Sequence, residues 1–172
     1  MSTKALCASI RYINVERNNM SVISWEEVFS KTALLFAQRS KDPSTQVGAC
    51  IASVDNRILS VGYNGTPNGF DDDIFPWGKD SDDPLQNKYL YVVHAERNAI
   101  LNFRGNNREL EGATIYVTHF PCCECAKEIV QSGIKHVRYI HPHGDSITNQ
   151  ATDTIFKMCH MDIQQVSAGT VQ

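Results

Sequence analysis

A histidine, a glutamate and two cysteines constrain this chain more than any other feature of its sequence. His94 and Glu96 are separated by one residue, and further along the chain Cys122 and Cys125 are separated by two. Histidine and paired cysteines are ligands of zinc, and a set of three leaves the fourth position of a tetrahedral ion open, as catalytic zinc sites do. The fold must therefore bring two distant segments to a single metal ion, and we expect one Zn²⁺ per chain.

Both of these segments are predicted to begin a helix. Cys122 and Cys125 then lie about one helical turn apart, so their sulfur atoms can converge. A helix N-terminus also favours the thiolate forms that bind metal. Glu96 lies two positions after His94 and does not share its face on a regular helix. We therefore predict that Glu96 lies beside the metal as a proton carrier and is not a ligand.

The alternative is a closed zinc site that serves only folding, which needs a fourth protein ligand. His119 and Cys123 lie close enough in sequence to be candidates. Adjacent residues of a helix point about 100° apart, so Cys123 is poorly placed to share an ion with Cys122. For His119, a side chain that simply lines a pocket is the simpler interpretation. The sequence therefore favours the open, catalytic site.

Helices and strands are predicted to alternate along the chain. Ser24 is a candidate N-cap of the first helix, which should end near Arg39 because Pro43 disfavours helix before it. Two β-rich segments, 47–54 and 57–63, flank Asp55-Asn56, a typical hairpin turn. The later predicted elements are helices over 94–103, 122–131 and 148–158 and strands over 114–118, 136–140 and 162–166. This order predicts an α/β fold, a sandwich with a mixed sheet.

Length and composition favour one domain with an ordinary hydrophobic core. The chain has 172 residues, of which 42% are hydrophobic and 20% charged,. We predict an N-terminal extension over residues 1–24 and a single domain over residues 25–172. The net charge of −3, without a basic tract, argues against binding of long nucleic acid,. No signal peptide or membrane-spanning run is apparent, so the six cysteines are expected to be thiols in the cytoplasm,.

Three segments connect these motifs to a known family. They are Ser-Lys-Asp-Pro-Ser-Thr-Gln-Val-Gly-Ala over residues 40–49, Gly-Tyr-Asn-Gly over 62–65 and His-Ala-Glu-Arg-Asn-Ala-Ile over 94–100. Together they make the chain similar, from about Trp25 to Met158, to the eukaryotic-type deoxycytidylate (dCMP) deaminases of the zinc-dependent cytidine and deoxycytidylate deaminase family. The resemblance implies a cytidine-deaminase-like three-layer α/β/α sandwich with a mixed central sheet of about five strands. It implies hydrolysis of dCMP to dUMP and ammonia, which feeds thymidylate synthesis. It also implies a homo-oligomer, commonly a hexamer, that dCTP activates and dTTP inhibits, each with Mg²⁺.

The resemblance assigns site residues as well. It gives the His-Cys-Cys set and Glu96 the roles described above. Asn64 corresponds to a pocket asparagine that holds the sugar or phosphate end of the substrate, with an ordinary turn asparagine as the alternative. Lys41 and Ser44 precede the first strand, where they could meet a phosphate, although a solvated surface lysine is nearly as good an interpretation of Lys41. The acidic segment 71–73 could hold Mg²⁺ around an effector triphosphate, although a solvated acidic loop is the simpler interpretation.

Three features depart from the family pattern. Arg97 follows Glu96 where the family often has leucine, and His119 stands where an apolar residue is common. The segment 140–145 lacks a tyrosine that is thought to lie near the nucleotide, and His143 is a candidate to replace its ring. These departures do not affect the zinc ligands or Glu96, but they concern how substrate and effectors are bound.

Two other functions fit the same motifs. One is a zinc deaminase of another nucleobase or nucleotide, such as free cytosine, guanine, a riboflavin precursor or adenosine in tRNA. Segments 40–49 and 62–65 favour dCMP, and the lack of a basic patch disfavours tRNA. The other is a non-catalytic nucleotide-sensing protein on the same fold, which would have no need of the carboxylate of Glu96.

Overall fold

A mixed sheet of five strands forms the centre of this computed structural model, which describes residues 22–79, 81–142 and 144–167. The strands are β1 (Gly48–Ala52), β2 (Ile58–Tyr63), β3 (Thr114–His119), β4 (His136–His141) and β5 (Asp162–Gln165). The α-helices are α1 (Trp25–Ala37), α2 (Ala95–Asn102), α3 (Cys123–Gln131) and α4 (Ile147–Met158). Three short 3-10 helices that the sequence did not predict occupy Pro84–Gln86, Lys88–Leu90 and Asn107–Leu110. Most of the predicted N-terminal extension and His143 lie outside the described residues.

The strand order in the sheet is β2-β1-β3-β4-β5. β1 is antiparallel to both of its neighbours, whereas β3, β4 and β5 run parallel to one another. All five residues of β1 are buried, as expected of a central strand that is covered on both faces,. The predicted mixed sheet is confirmed.

Helices cover both faces of the sheet. On one face, α1 packs Phe29 and Ala33 against Cys50 and Tyr116 of the strands. On the other, α2 and α3 contribute small and branched apolar residues, among them Ala99 and Ile129, to a larger core, and α4 packs against α3. Two hydrophobic layers on opposite faces of one sheet make the predicted three-layer sandwich.

The predicted helix start and turns are confirmed by local geometry. Ser24 caps α1, because its Oγ accepts a hydrogen bond of 3.1 Å from the backbone N–H of Glu27. The helix ends at Ala37, slightly before the predicted end. Asn56 takes the left-handed conformation in the hairpin turn, with φ of 63°. None of the helices in the described segments is long and apolar enough to pass through a bilayer.

The close approach of α2 to β2 depends on Gly62. A Cβ atom at this position would overlap the backbone of Ala95 and Ala99 in α2. We expect Gly62→Ala to lower the free energy of unfolding by about 1–3 kcal/mol, because neither backbone can yield without displacing the other. Urea unfolding measures this change. At Gly65 the added atom would meet only the Tyr63 ring at 3.6 Å, so Gly65→Ala is the control. Equal losses in the two variants would contradict the explanation.

Candidate active site

Two helix N-termini meet at the site, and each presents a candidate metal ligand at its first position. His94 is the N-cap of α2 and Cys122 is the N-cap of α3, both with extended backbone conformations. Neither side chain makes a capping hydrogen bond to its own helix. Both side chains are therefore free of the usual N-cap role and available to a metal. Cys125 follows within the first turn of α3, as predicted.

The three predicted ligands converge. The Nδ1 atom of His94 lies 3.4 Å from the sulfur of Cys122 and 3.4 Å from the sulfur of Cys125. Ordinary zinc–nitrogen and zinc–sulfur bonds at a tetrahedral angle separate such atoms by about 3.6 Å, so the spacing fits Zn²⁺. Within the described residues these are the one group of three or more His, Cys, Asp or Glu residues whose ligand atoms lie within 4.8 Å of one another. His119 and Cys123 do not join it, which disfavours the closed structural site.

The two cysteines behave as one coupled pair. The hydrogen bond from Cys125 is the main cause that lowers the pKa of Cys122, to about 3, although burial opposes it. The same hydrogen bond, with burial, raises the pKa of Cys125. These opposite shifts favour a thiolate at Cys122 and a protonated thiol at Cys125. A metal ion that binds both sulfurs must displace that proton.

Glu96 is buried in the first turn of α2, with an exposed fraction of 4%. Burial raises the pKa of its carboxyl group, while the neighbouring His94 acts in the opposite direction. A buried carboxyl with a raised pKa beside a metal site is typical of a group that carries protons during catalysis. Glu96 lines the same cavity as His94 and Cys122, as its predicted role requires.

Asn64 and His119 form part of the wall of this cavity. Asn64 is buried, and its side chain bonds to the backbone of the segment that precedes β1. The ring of His119 lies 4.8 Å from that of His141 on the adjacent parallel strand. Burial, and then the charge of His141, lower the pKa of His119.

Lys41 and Ser44 are placed differently. Within the described part of the chain, the cavity wall includes Thr45 but neither of these residues. The ammonium group of Lys41 instead forms an ion pair with Asp72 and lines a neighbouring, wider cavity together with Thr66. Ser44 is exposed and donates its backbone N–H to Asp42 over 2.8 Å. Their predicted contact with substrate phosphate stays a prediction.

Two ion pairs at the site were not predicted. Arg97 on α2 bonds to Glu128 on α3 at 2.7 Å, so it joins the two helices that carry the metal ligands. Lys88 and Asp42 form a second pair that lines the zinc cavity. The Asp-Pro-Ser-Thr sequence after Lys41 could have suggested that Asp42 caps its own turn, but nothing local indicated its partner.

The sequence and the structure of this chain are similar to those of known proteins. Residues 23–141 match the family described as the cytidine and deoxycytidylate deaminase zinc-binding region. The chain is 48% identical over 137 residues to the deoxycytidylate deaminase of Mus musculus, covering 79% of this chain and 76% of the relative. It is 53% identical over 123 residues to a probable deoxycytidylate deaminase of Drosophila melanogaster, covering 69% of this chain and 60% of the relative.

A solved structure shares the fold. The dCMP deaminase of cyanophage S-TIM5, in complex with dCMP and dUMP, superposes with a TM-score of 0.66 at 29% identity, covering 82% of this chain and 96% of the phage protein. The family match spans the segment that holds every proposed zinc ligand. The chain belongs to the zinc-dependent cytidine and deoxycytidylate deaminase family.

Proposed function

We propose that this protein hydrolyses dCMP to dUMP and ammonia, and so supplies dUMP for thymidylate synthesis. The observation that carries the proposal is the convergence of His94, Cys122 and Cys125 at two helix starts, with the buried carboxyl of Glu96 in the same cavity. The mouse relative is a deoxycytidylate deaminase, and the similar phage structure holds dCMP and dUMP. Together they support dCMP as the substrate.

The reaction replaces the amino group at C4 of the cytosine ring with oxygen from water. Zinc held by the three ligands would lower the pKa of water from roughly 16 to about 7, which makes hydroxide available at neutral pH. Glu96 takes a proton from the attacking water, delivers it to N3 of the ring and then assists the departure of ammonia. The walls of the cavity would hold the cytosine ring beside the three proposed ligands and Glu96.

Other residues are proposed to hold the rest of the nucleotide. Asn64 lines the cavity and would bind the sugar or phosphate end of dCMP. Lys41 and Ser44 lie on the segment that also carries the wall residue Thr45, and we keep them as candidate phosphate contacts. The charge of Lys41 is screened by Asp72, so this contact requires the pair to open.

Regulation is proposed from the resemblance. We expect a homo-oligomer, commonly a hexamer, with dCTP as activator and dTTP as inhibitor, each bound with Mg²⁺. A second cavity, lined by Arg39, Lys41 and Asp72, lies next to the zinc cavity and suits a polar ligand. Lys41 and Tyr63 line it, whereas their neighbours in sequence, Asp42 and Asn64, line the zinc cavity. We place the activity in the cytoplasm, where the thiol ligands stay reduced.

A substrate comparison tests this proposal. The zinc-loaded protein should deaminate dCMP in preference to cytidine, dCTP and guanine, as measured by ammonia release. The response to dCMP should be sigmoidal, become hyperbolic with dCTP and Mg²⁺, and weaken with dTTP. Turnover of cytidine without turnover of dCMP would overturn the substrate assignment. Retained zinc with no turnover of any base would favour the sensor function instead.

A further inference from the structure

Two opposite charges are buried side by side at the edge of the zinc cavity. The side chains of Asp42 and Lys88 are each 2% exposed and form an ion pair across 46 positions of sequence. Charged side chains are almost never buried this fully unless they are paired. The pair joins the segment before β1 to the 3-10 helix Lys88–Leu90, and both residues line the cavity.

The carboxylate of Asp42 accepts four hydrogen bonds. One oxygen, Oδ1, accepts from the backbone N–H groups of Ser44 at 2.8 Å and Thr45 at 3.2 Å. The other, Oδ2, accepts from the ammonium group of Lys88 and from the Nδ2 atom of Asn64 at 3.3 Å. Burial raises the pKa of Asp42, but the bonds from Lys88 and the backbone overcome it, so the net pKa lies below its ordinary value. Asp42 therefore stays an ionised acceptor at neutral pH.

The bond to Asp42 fixes what Asn64 can offer a ligand. Its Oδ1 accepts from the backbone N–H of Val47 at 2.7 Å, which sets the orientation of the amide. Its Nδ2 gives one hydrogen to Asp42 and the other to the carbonyl oxygen of Thr45 at 3.0 Å. A side-chain amide has two hydrogens and two acceptor lone pairs. Only one lone pair of Oδ1 remains, so Asn64 can accept a hydrogen bond but cannot donate one.

We propose that Asp42 and Lys88 are positioning residues that hold Asn64 as a hydrogen-bond acceptor for a sugar hydroxyl of the substrate. A phosphate group presents acceptor oxygens, which a fixed acceptor does not bind. This assignment rests on the proposed function, because the 3′-hydroxyl of deoxyribose is the donor that dCMP carries. The sequence left open whether Asn64 binds the sugar or the phosphate of the substrate, and this proposal favours the sugar.

Lys88 is needed because it is the cation paired with Asp42. Without it, only neutral donors would hold the buried carboxylate, which would then take up a proton more readily. Protonated Asp42 would present a donor to Nδ2 of Asn64, which is itself a donor. The amide would then turn or move, and the acceptor in the cavity would be lost. The pair thus acts on the substrate through Asn64.

The test compares dCMP with 2′,3′-dideoxycytidine monophosphate, which lacks the 3′-hydroxyl. For the zinc-loaded wild type we expect kcat/KM to favour dCMP by about tenfold or more, because the analogue leaves the acceptor unpaired. Asp42→Asn keeps the shape of the side chain but turns an N–H toward Asn64. We expect it to bring the ratio close to unity, mainly by raising KM for dCMP. Asp55→Asn, on the exposed hairpin turn, is the matched control and should keep the wild-type ratio.

The ratio separates positioning from a loss of folded protein, which lowers both rates equally. If Asp42→Asn does not fold because Lys88 is left uncompensated, the double variant with Lys88→Met removes both buried charges and should show the same collapse. Slow hydrogen exchange of the Asn64 side-chain amide in the wild type, and fast exchange in the variant, gives a readout without turnover. A wild type that deaminates both nucleotides equally, or a variant that keeps the ratio, overturns the inference. A wild type that turns over neither one overturns the proposed function.

Discussion

Replacing Glu96 by alanine should lower the turnover of dCMP by about 10⁴-fold while zinc stays bound. Positioned proton transfer contributes about 10²–10⁴-fold to a reaction, and Glu96 is assigned more than one transfer. Zinc should be retained because the three ligand atoms converge without this carboxylate. Steady-state kinetics and metal analysis of the same preparation measure the two quantities.

The matched control for this prediction is Glu124→Ala. Glu124 lies in the first turn of α3 between the two cysteine ligands, but its carboxylate faces solvent and pairs with Lys127. We expect nearly normal turnover in this variant. The isosteric Glu96→Gln should be as impaired as the alanine variant, because an amide cannot take up the proton. Undiminished turnover in either Glu96 variant would remove this residue from the mechanism.

Removing zinc should abolish deamination, and reloading it should restore the activity. The shift in the pKa of water that zinc provides corresponds to on the order of 12 kcal/mol, far more than any other group in the cavity supplies. Cys125→Ser should lose both zinc and turnover. Cys123→Ser changes a cysteine outside the ligand cluster and should keep both. Equal activity with and without zinc would contradict a metal-dependent mechanism.

The affinity for zinc should also rise with pH. Because the pKa of Cys125 is raised, the metal-free protein keeps a proton on this thiol at neutral pH and releases it when zinc binds,. A higher pH lowers the concentration of free protons and so favours the release of this one, and binding strengthens. Competition with a chromophoric chelator between about pH 6 and 8 measures the trend. Affinity that stays constant over this range would show that no proton is displaced.

The zinc site could be predicted from sequence because its chemistry is encoded locally. The two cysteines fall on one helical turn, and Glu96 is kept off the metal by its distance of two positions from His94. The strands and α-helices could also be predicted from the sequence, because apolar patterns and turn residues such as Asp55-Asn56 mark them. The two helices begin one residue later than predicted, because His94 and Cys122 are their N-caps.

The contacts that shape the rest of the cavity could not be predicted in this way. Lysine is ordinarily an exposed residue, and only the folded chain shows Lys88 buried against Asp42,. The same holds for Arg97, whose partner Glu128 lies on another helix. Pairs of this kind depend on how distant segments pack. Sequence motifs therefore indicated the groups proposed to react, whereas the contacts proposed to hold the substrate depend on tertiary packing.

The change from antiparallel to parallel pairing at β3 has a consequence for how such a protein diversifies. It sets the carboxyl ends of β3 and β4 side by side, where the rings of His119 and His141 meet. The metal ligands, in contrast, are anchored at the starts of α2 and α3. We therefore expect substitutions at these strand ends to change the wall of the cavity at His119 without moving the metal ligands, so that new specificities could evolve on an inherited chemistry.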